Sequence, residues 1–287
     1  MGLRHLAEPH LNESLHSHRS PIQLECVNIM RISLKLFSVW LLTLLCAGAA
    51  YSSEPQLKTA STHPIQYYLS LPDGWTASQK WPVVIVIESA DRLFEQANNA
   101  FVQARGTKPF ILVTPLVVTN GGAGYRSVPT YHYSEPVWDR IQNLGAFKFD
   151  WEGMAAIMQD LVKEYGAEDK FFITGLEAGG HTVWATLFNH PDAVQGAALV
   201  CPNYAGRWID ENRISQALWR KDLPIRNLVG TKDALCVAGH PIYLQMEKAI
   251  SVAAAHGYEN VRISRVEGKG HDRMAGEVLD YFSSLLK

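Results

Sequence analysis

This sequence has no basic excess. Its 26 Lys and Arg stand against 28 Asp and Glu, a formal net charge of -2, and cationic residues nowhere run together. Nucleic acids and anionic membrane surfaces are held by clustered positive charge, so neither partner is expected. Cysteine is scarce as well: four in 287 residues, of which only Cys201 and Cys236 lie beyond the N-terminal segment. No Cys/His set shows metal-ligand spacing, and the glycine cluster Asn120-Gly121-Gly122-Ala123-Gly124 lacks the Gly-Lys-Ser/Thr that would make it a phosphate loop. No metal and no cofactor is therefore expected. Repeats, low-complexity tracts and linkers are also missing after Ser52, which leaves one domain from residue 54 to 287, long enough to bury a substantial core.

Long apolar runs are limited to one. Met30-Arg31-Ile32-Ser33-Leu34-Lys35 supplies a short basic start, Leu36 to Ala47 is almost unbroken apolar, and Ala47-Gly48-Ala49 offers small residues for cleavage. That layout predicts a secretory signal peptide over residues 30–52. The run falls short of the roughly 20 apolar residues of a spanning helix, so no membrane association is expected after cleavage. Residues 1–29, polar and rich in His and Ser, precede the basic start and are expected to be an upstream extension or a disordered segment. The expected destination is the periplasm or the exterior.

The remaining chain alternates between two periods. Pro82–Ile87, Phe110–Val113, Lys170–Thr174, Gly196–Val200 and Ile225–Val229 are short β-branched and apolar runs that predict buried strands, and Val261–Val266 alternates as an outer strand does. Helical periodicity fills the gaps at Leu93–Ala104, Trp151–Tyr165, Gly179–Phe188, Pro241–His256 and Arg273–Leu286. Strand and helix in alternation predict an α/β fold: a mostly parallel sheet covered on both faces. Ligands on such a sheet bind beyond the carboxyl ends of its strands. From Pro115 to Asp150 the chain lacks clear periodicity and is rich in Gly and aromatics, which predicts an ordered loop on the substrate side, with Tyr125 and Trp138 as rim contacts.

Three residues each follow a predicted strand. Gly175-Leu176-Glu177-Ala178-Gly179 is a glycine-flanked turn between strand and helix, a context that forces the central side chain outward at a helix N-terminus. Asp233 ends Val229-Gly230-Thr231-Lys232-Asp233, and His271 lies in Gly268-Lys269-Gly270-His271-Asp272. The order is turn residue, acid, histidine, so Glu177, Asp233 and His271 are the candidate catalytic residues, with Asp233 fixing the tautomer of His271. Cys201 ends one predicted strand and Cys236 closely follows the next, so in an oxidising compartment a disulfide between them is expected. His181, His190, Trp151, Trp184 and Trp208 are assigned to packing.

These motifs resemble the secreted esterase and polyhydroxybutyrate-depolymerase-like branch of the α/β-hydrolases over roughly residues 64–287. Gly175 to Gly180 matches that branch's Gly-x-Ser-x-Gly-Gly elbow except at Glu177, and Gly270-His271 matches its C-terminal Gly-His. The resemblance implies an α/β-hydrolase fold without a full cap domain, since only Pro202 to Leu223 lies between the relevant strands. It also implies hydrolysis of esters or similar acyl substrates, with Asp233 and His271 as acid and base, and an oxyanion hole from the N–H groups of Ala178 and Ala90.

Two departures bear on activity. Where the branch has His-Gly-x-Gly after the first buried strand, this chain has Glu88-Ser89-Ala90-Asp91, whose charges oppose a developing oxyanion. At the elbow, a helix N-terminus and a nearby His271 both favour ionised Glu177, and two carboxylates favour protonated His271. A carboxylate attacking an ester forms an anhydride, a poor route. Three functions stay open: a hydrolase adapted to glutamate, a catalytically silent protein that binds a ligand or partner at the former active site, and a carboxylate-nucleophile hydrolase acting at saturated carbon.

Overall fold

The computed structural model describes residues 54–120, 126 and 130–286. The upstream segment, the signal peptide and Tyr125 lie outside the described residues. Eight strands form one sheet: β1 (Gln56–Thr59), β2 (Gln66–Ser70), β3 (Trp81–Ile87), β4 (Ile111–Pro115), β5 (Ala167–Leu176), β6 (Val194–Val200), β7 (Ile225–Gly230) and β8 (Val261–Val266). Their order is β1-β2-β4-β3-β5-β6-β7-β8. The β1–β2 and β2–β4 pairs are antiparallel and the rest are parallel.

Six α-helices accompany the described sheet: α1 (Phe94–Arg105), α2 (Glu135–Leu144), α3 (Ala146–Glu164), α4 (Gly179–Asn189), α5 (Pro241–Ala255) and α6 (Ala275–Ser283). All of β3 is buried, and its side chains divide by parity as a strand's must. Val83, Ile85 and Ile87 join the core beneath α3 and α4, with Met154, Ile157, Leu161, Val183 and Trp184. Val84 and Val86 join the opposite core, under α1 and α6, with Phe101, Val278 and Phe282. Each fully buried side chain of this size contributes roughly 1.5–3 kcal/mol, so a continuous apolar run is stable only where both faces are covered.

Two elements depart from the expectation. The segment from Pro115 to Asp150 is not a structureless loop, because α2 occupies Glu135–Leu144 and α3 begins at Ala146 rather than Trp151. Pro136 in the first turn and Gly145 at φ 89 after the last bound α2 as helix signals do. Trp138 accordingly faces the core instead of a substrate rim. It is 4% exposed and meets Tyr131 and Tyr133 edge-on, with centroids 5.7 and 5.4 Å away. The second departure is β1 and β2, short strands at the sheet edge that periodicity did not single out. Among the described residues, no helix is long and apolar enough to cross a membrane.

Candidate active site

The turn between β5 and α4 is built by sterics. Glu177 sits at φ 48, a left-handed conformation that a residue with a Cβ adopts only under strain. Its N–H donates to the Val200 carbonyl at 3.0 Å, and its own carbonyl accepts from Gly180 and Asn203, both at 2.9 Å. The glycines around it are required by close approach. A Cβ on Gly179 would lie 2.6 Å from the Ile87 carbonyl oxygen, and one on Gly180 would lie 2.5 Å from Pro202. Held this way, the half-buried Glu177 side chain reaches the cleft, with one long contact from Asn203 Nδ2 to Oε1 at 3.4 Å.

Asp233 and His271 meet at the ends of β7 and β8. His271 Nδ1 and Asp233 Oδ2 are 2.9 Å apart. The other carboxylate oxygen accepts from the N–H groups of Leu235 at 2.9 Å and Cys236 at 3.2 Å, so the buried Asp233 is fully engaged and its orientation fixed. Gly230 lets the histidine loop lie directly on the strand end, since a Cβ there would come 2.3 Å from the Lys269 carbonyl oxygen. Lys232 N–H bonds that same carbonyl at 2.8 Å, and Gly268 N–H bonds Thr231 Oγ1 at 2.9 Å. Glu177 and His271 open on one cleft of about 380 Å³, lined also by Ser89, Asp91, Arg273 and Met274.

No protein-family model and no curated protein matches the chain. Solved structures do. Poly(aspartic acid) hydrolase-1 from Sphingomonas sp. KT-1 is 15% identical, with 82% of this chain aligned to 98% of that one at a TM-score of 0.57. A putative dienelactone hydrolase from Klebsiella pneumoniae subsp. pneumoniae is 14% identical over 80% of this chain and 95% of its own, at 0.54. Against a thermostable esterase the chain spans 62% of that protein's length, with 82% of itself aligned, at 16% identity and 0.49. At such identities the likeness is one of fold, and together with the sheet order it decides the class. The chain has the α/β-hydrolase fold.

Within that α/β-hydrolase fold, three of the expected site residues, Glu177, Asp233 and His271, lie at the carboxyl edge of the sheet. The two alanines stand differently. Ala178 is 5% exposed at the start of α4, Ala90 is exposed after β3, and Ser89 and Asp91 line the cleft between them. The charge expected to oppose catalysis at Glu88 is answered by a partner that sequence reasoning missed. Arg273 holds the buried Glu88 through two bonds, Nη2 to Oε1 at 2.5 Å and Nε to Oε2 at 3.0 Å. Arg273 lies two residues after His271, but nothing in the sequence connects it to Glu88.

Further support also escaped the sequence. Asn120 Nδ2 donates to the carbonyls of Glu88 and Ser89 at 3.1 and 2.8 Å, clamping the turn after β3. Asn120 is placed by its neighbours: Asp150 accepts from the N–H groups of Val118 and Thr119 and from Thr119 Oγ1 at 2.7 Å. Burial pushes the Asp150 carboxyl up to about 7 despite these bonds.

The expected disulfide is not formed. Cys201 and Cys236 are buried free thiols. They pack in one buried cluster, and Cys201 Sγ lies within 4.8 Å of the Asp233 carboxylate; the Cys236 neighbour and burial push the Cys201 thiol up. Cys201, at φ 42 after β6, thus turns its sulfur toward the acid of the site. Its Sγ, a carboxylate oxygen of Asp233 and a ring nitrogen of His271 all lie within 4.8 Å of one another. The two histidines assigned to packing are enclosed: His190 stacks on Trp151 at 3.8 Å, and burial, with the Arg207 charge, lowers His181 to about 4.

Proposed function

We propose that this protein is a hydrolase of small esters or similar acyl substrates, in which His271 deprotonates the attacking water and Glu177 holds that water in place of a nucleophile. The observation that carries the proposal is the 2.9 Å Asp233–His271 pair opening on the same cleft as Glu177. With Nδ1 held as donor to Asp233, the other ring nitrogen is left as the base. A carboxylate beside it accepts the second hydrogen of the water and orients the oxygen lone pair toward a carbonyl carbon. The step balances simply: oxygen bonds carbon, the proton passes to His271, and the tetrahedral adduct expels its alkoxide, which takes that proton back. N–H groups at the start of α4 and in the turn after β3 are the donors available to the oxyanion. The Glu88–Arg273 pair supports this assignment, because it removes an uncompensated charge from the turn. Export, directed by residues 30–52, belongs to the same proposal.

Single turnover of a short aryl ester in heavy-oxygen water tests it. The expected result is label in the released acid, none in the Glu177 peptide by mass spectrometry, and a loss of about 10²–10⁴-fold in kcat/KM for His271→Ala. Label in the Glu177 carboxylate would replace the water route by a covalent one. No turnover of any short acyl ester by the intact protein would remove the hydrolase assignment.

A further inference from the structure

A triad needs an acid and a histidine at this edge of the sheet; it has no use for a buried sulfur beside them. We propose that Cys201, Asp233 and His271 form a binding site for a thiophilic divalent cation of the zinc class. On the hydrolase proposal above, its occupation shuts off catalysis.

The donors come from the ends of three neighbouring strands, Cys201 after β6, Asp233 after β7 and His271 after β8. One ligand atom from each lies within 4.8 Å of the others. Bond lengths of about 2.0–2.3 Å at tetrahedral angles put donor atoms about 3.5 Å apart. The Asp233–His271 contact of 2.9 Å therefore has to open slightly while the sulfur closes in. The movable member is His271: its side chain is 26% exposed, and it directly follows Gly270 and lies three residues after Gly268, at φ 76, two positions where an added Cβ would meet nothing. The other two donors, 0% and 1% exposed, are already in place.

Charge and softness both select the ion. Thiolate, carboxylate and neutral imidazole sum to two negative charges, so a divalent cation leaves the buried set neutral and removes the penalty of isolated charge. Sulfur with imidazole favours zinc, cadmium or cobalt over magnesium or calcium, which prefer all-oxygen sites. Binding releases the thiol proton to solvent, the imidazole proton passes from Nδ1 to Nε2 so that the ring stays neutral, and solvent completes the fourth position. Cys236, in contact with Cys201, is the outer partner that steadies the sulfur. Because Nδ1 cannot both donate to Asp233 and bond a metal, the ion-bound and catalytic arrangements exclude each other.

Cobalt(II) titration of the intact protein, with a reductant keeping both thiols reduced, tests the site without substrate. The expected result is one equivalent bound, with thiolate-to-cobalt charge-transfer absorption and the visible bands of a four-coordinate ion, and no displacement by magnesium. Cys201→Ser should abolish the charge-transfer band and weaken binding by at least the roughly 10–100-fold that loss of an outer partner costs, while Cys236→Ser keeps the band. Should Cys201→Ser fail to fold, zinc-edge X-ray absorption of the unmodified protein gives the same answer, since one sulfur at about 2.3 Å must then be found on the bound ion. Absence of the band, a band that survives Cys201→Ser, or bound zinc without a sulfur ligand would overturn the site. None of these outcomes depends on turnover, so a failed metal site leaves the hydrolase proposal standing, and the reverse holds too.

Discussion

The two turns that face each other across the cleft are held by different physics. The turn after β5 is held by backbone packing: its glycines are there because a Cβ would run into Ile87, Pro202 or the next turn, and the side chain at Glu177 contributes little to the shape. The turn after β3 is held by side chains from far away, Arg273 on Glu88 across 185 residues and Asn120 on two successive carbonyls. The first tolerates a change of chemistry at its tip without losing its form. The second changes its sequence and keeps its form only by recruiting partners.

That contrast is broken most sharply at Arg273. Arg273→Ala strands the carboxylate of Glu88, which is 1% exposed, and is expected to cost about 3–5 kcal/mol by denaturant unfolding. Adding Glu88→Gln should return much of that loss, and no recovery would show that the pair does not hold the turn. At the other turn, Gly179→Ala presses a methyl to 2.6 Å from a carbonyl oxygen, and the expected cost is about 1–3 kcal/mol.

An effect confined to a pH window comes from Asp150. Its folded value of about 7 exceeds its ordinary 3.8, so between those values the folded chain keeps a proton that the unfolded chain has released. The stability this contributes is full below about pH 4 and is lost as pH rises through about 7. His63 and His181, lowered by burial to about 4, act in the opposite sense, losing stability as pH falls below 6.5. The test is therefore a difference: unfolding of Asp150→Asn minus that of the unsubstituted protein, whose slope across the window should be the Asp150 contribution. A flat difference would leave the carboxyl ionised throughout. The smallest effect belongs to Glu177→Gly, which relieves the φ 48 strain and should raise stability by about 1 kcal/mol while removing activity. A loss of stability there would mean the side chain holds the elbow after all.

The same contrast explains what was legible in the sequence. Strands β3 to β7 declared themselves because burial on both faces demands apolar runs, β8 because an outer strand alternates, and the elbow because steric need writes glycine at fixed offsets. Asp233 and His271 could be placed by their strands alone. The edge strand β1 and its neighbour β2 are short and half-polar, so no period emerges. Helix α2 is only ten residues long, with a proline in its first turn, and it followed a glycine-rich stretch that suggested a loop. Arg273, Asn120 and Asp150 act through contacts that only the folded chain creates. The free thiols illustrate the limit from the other side: proximity of Cys201 and Cys236 followed from strand order, but whether the sulfurs bond depends on where each side chain points.

One consequence of the left-handed backbone at Glu177 concerns depth. The elbow works as a fixed post, and whatever it carries is projected along one axis into the cleft. A glutamate carboxylate ends two bonds beyond where a serine oxygen would, about 2.5 Å further from the same Cα. In a cleft of about 380 Å³ that reach shortens the room in front of the post. On the proposed water route, molecules that fit lie across the opening rather than plunge toward the strand.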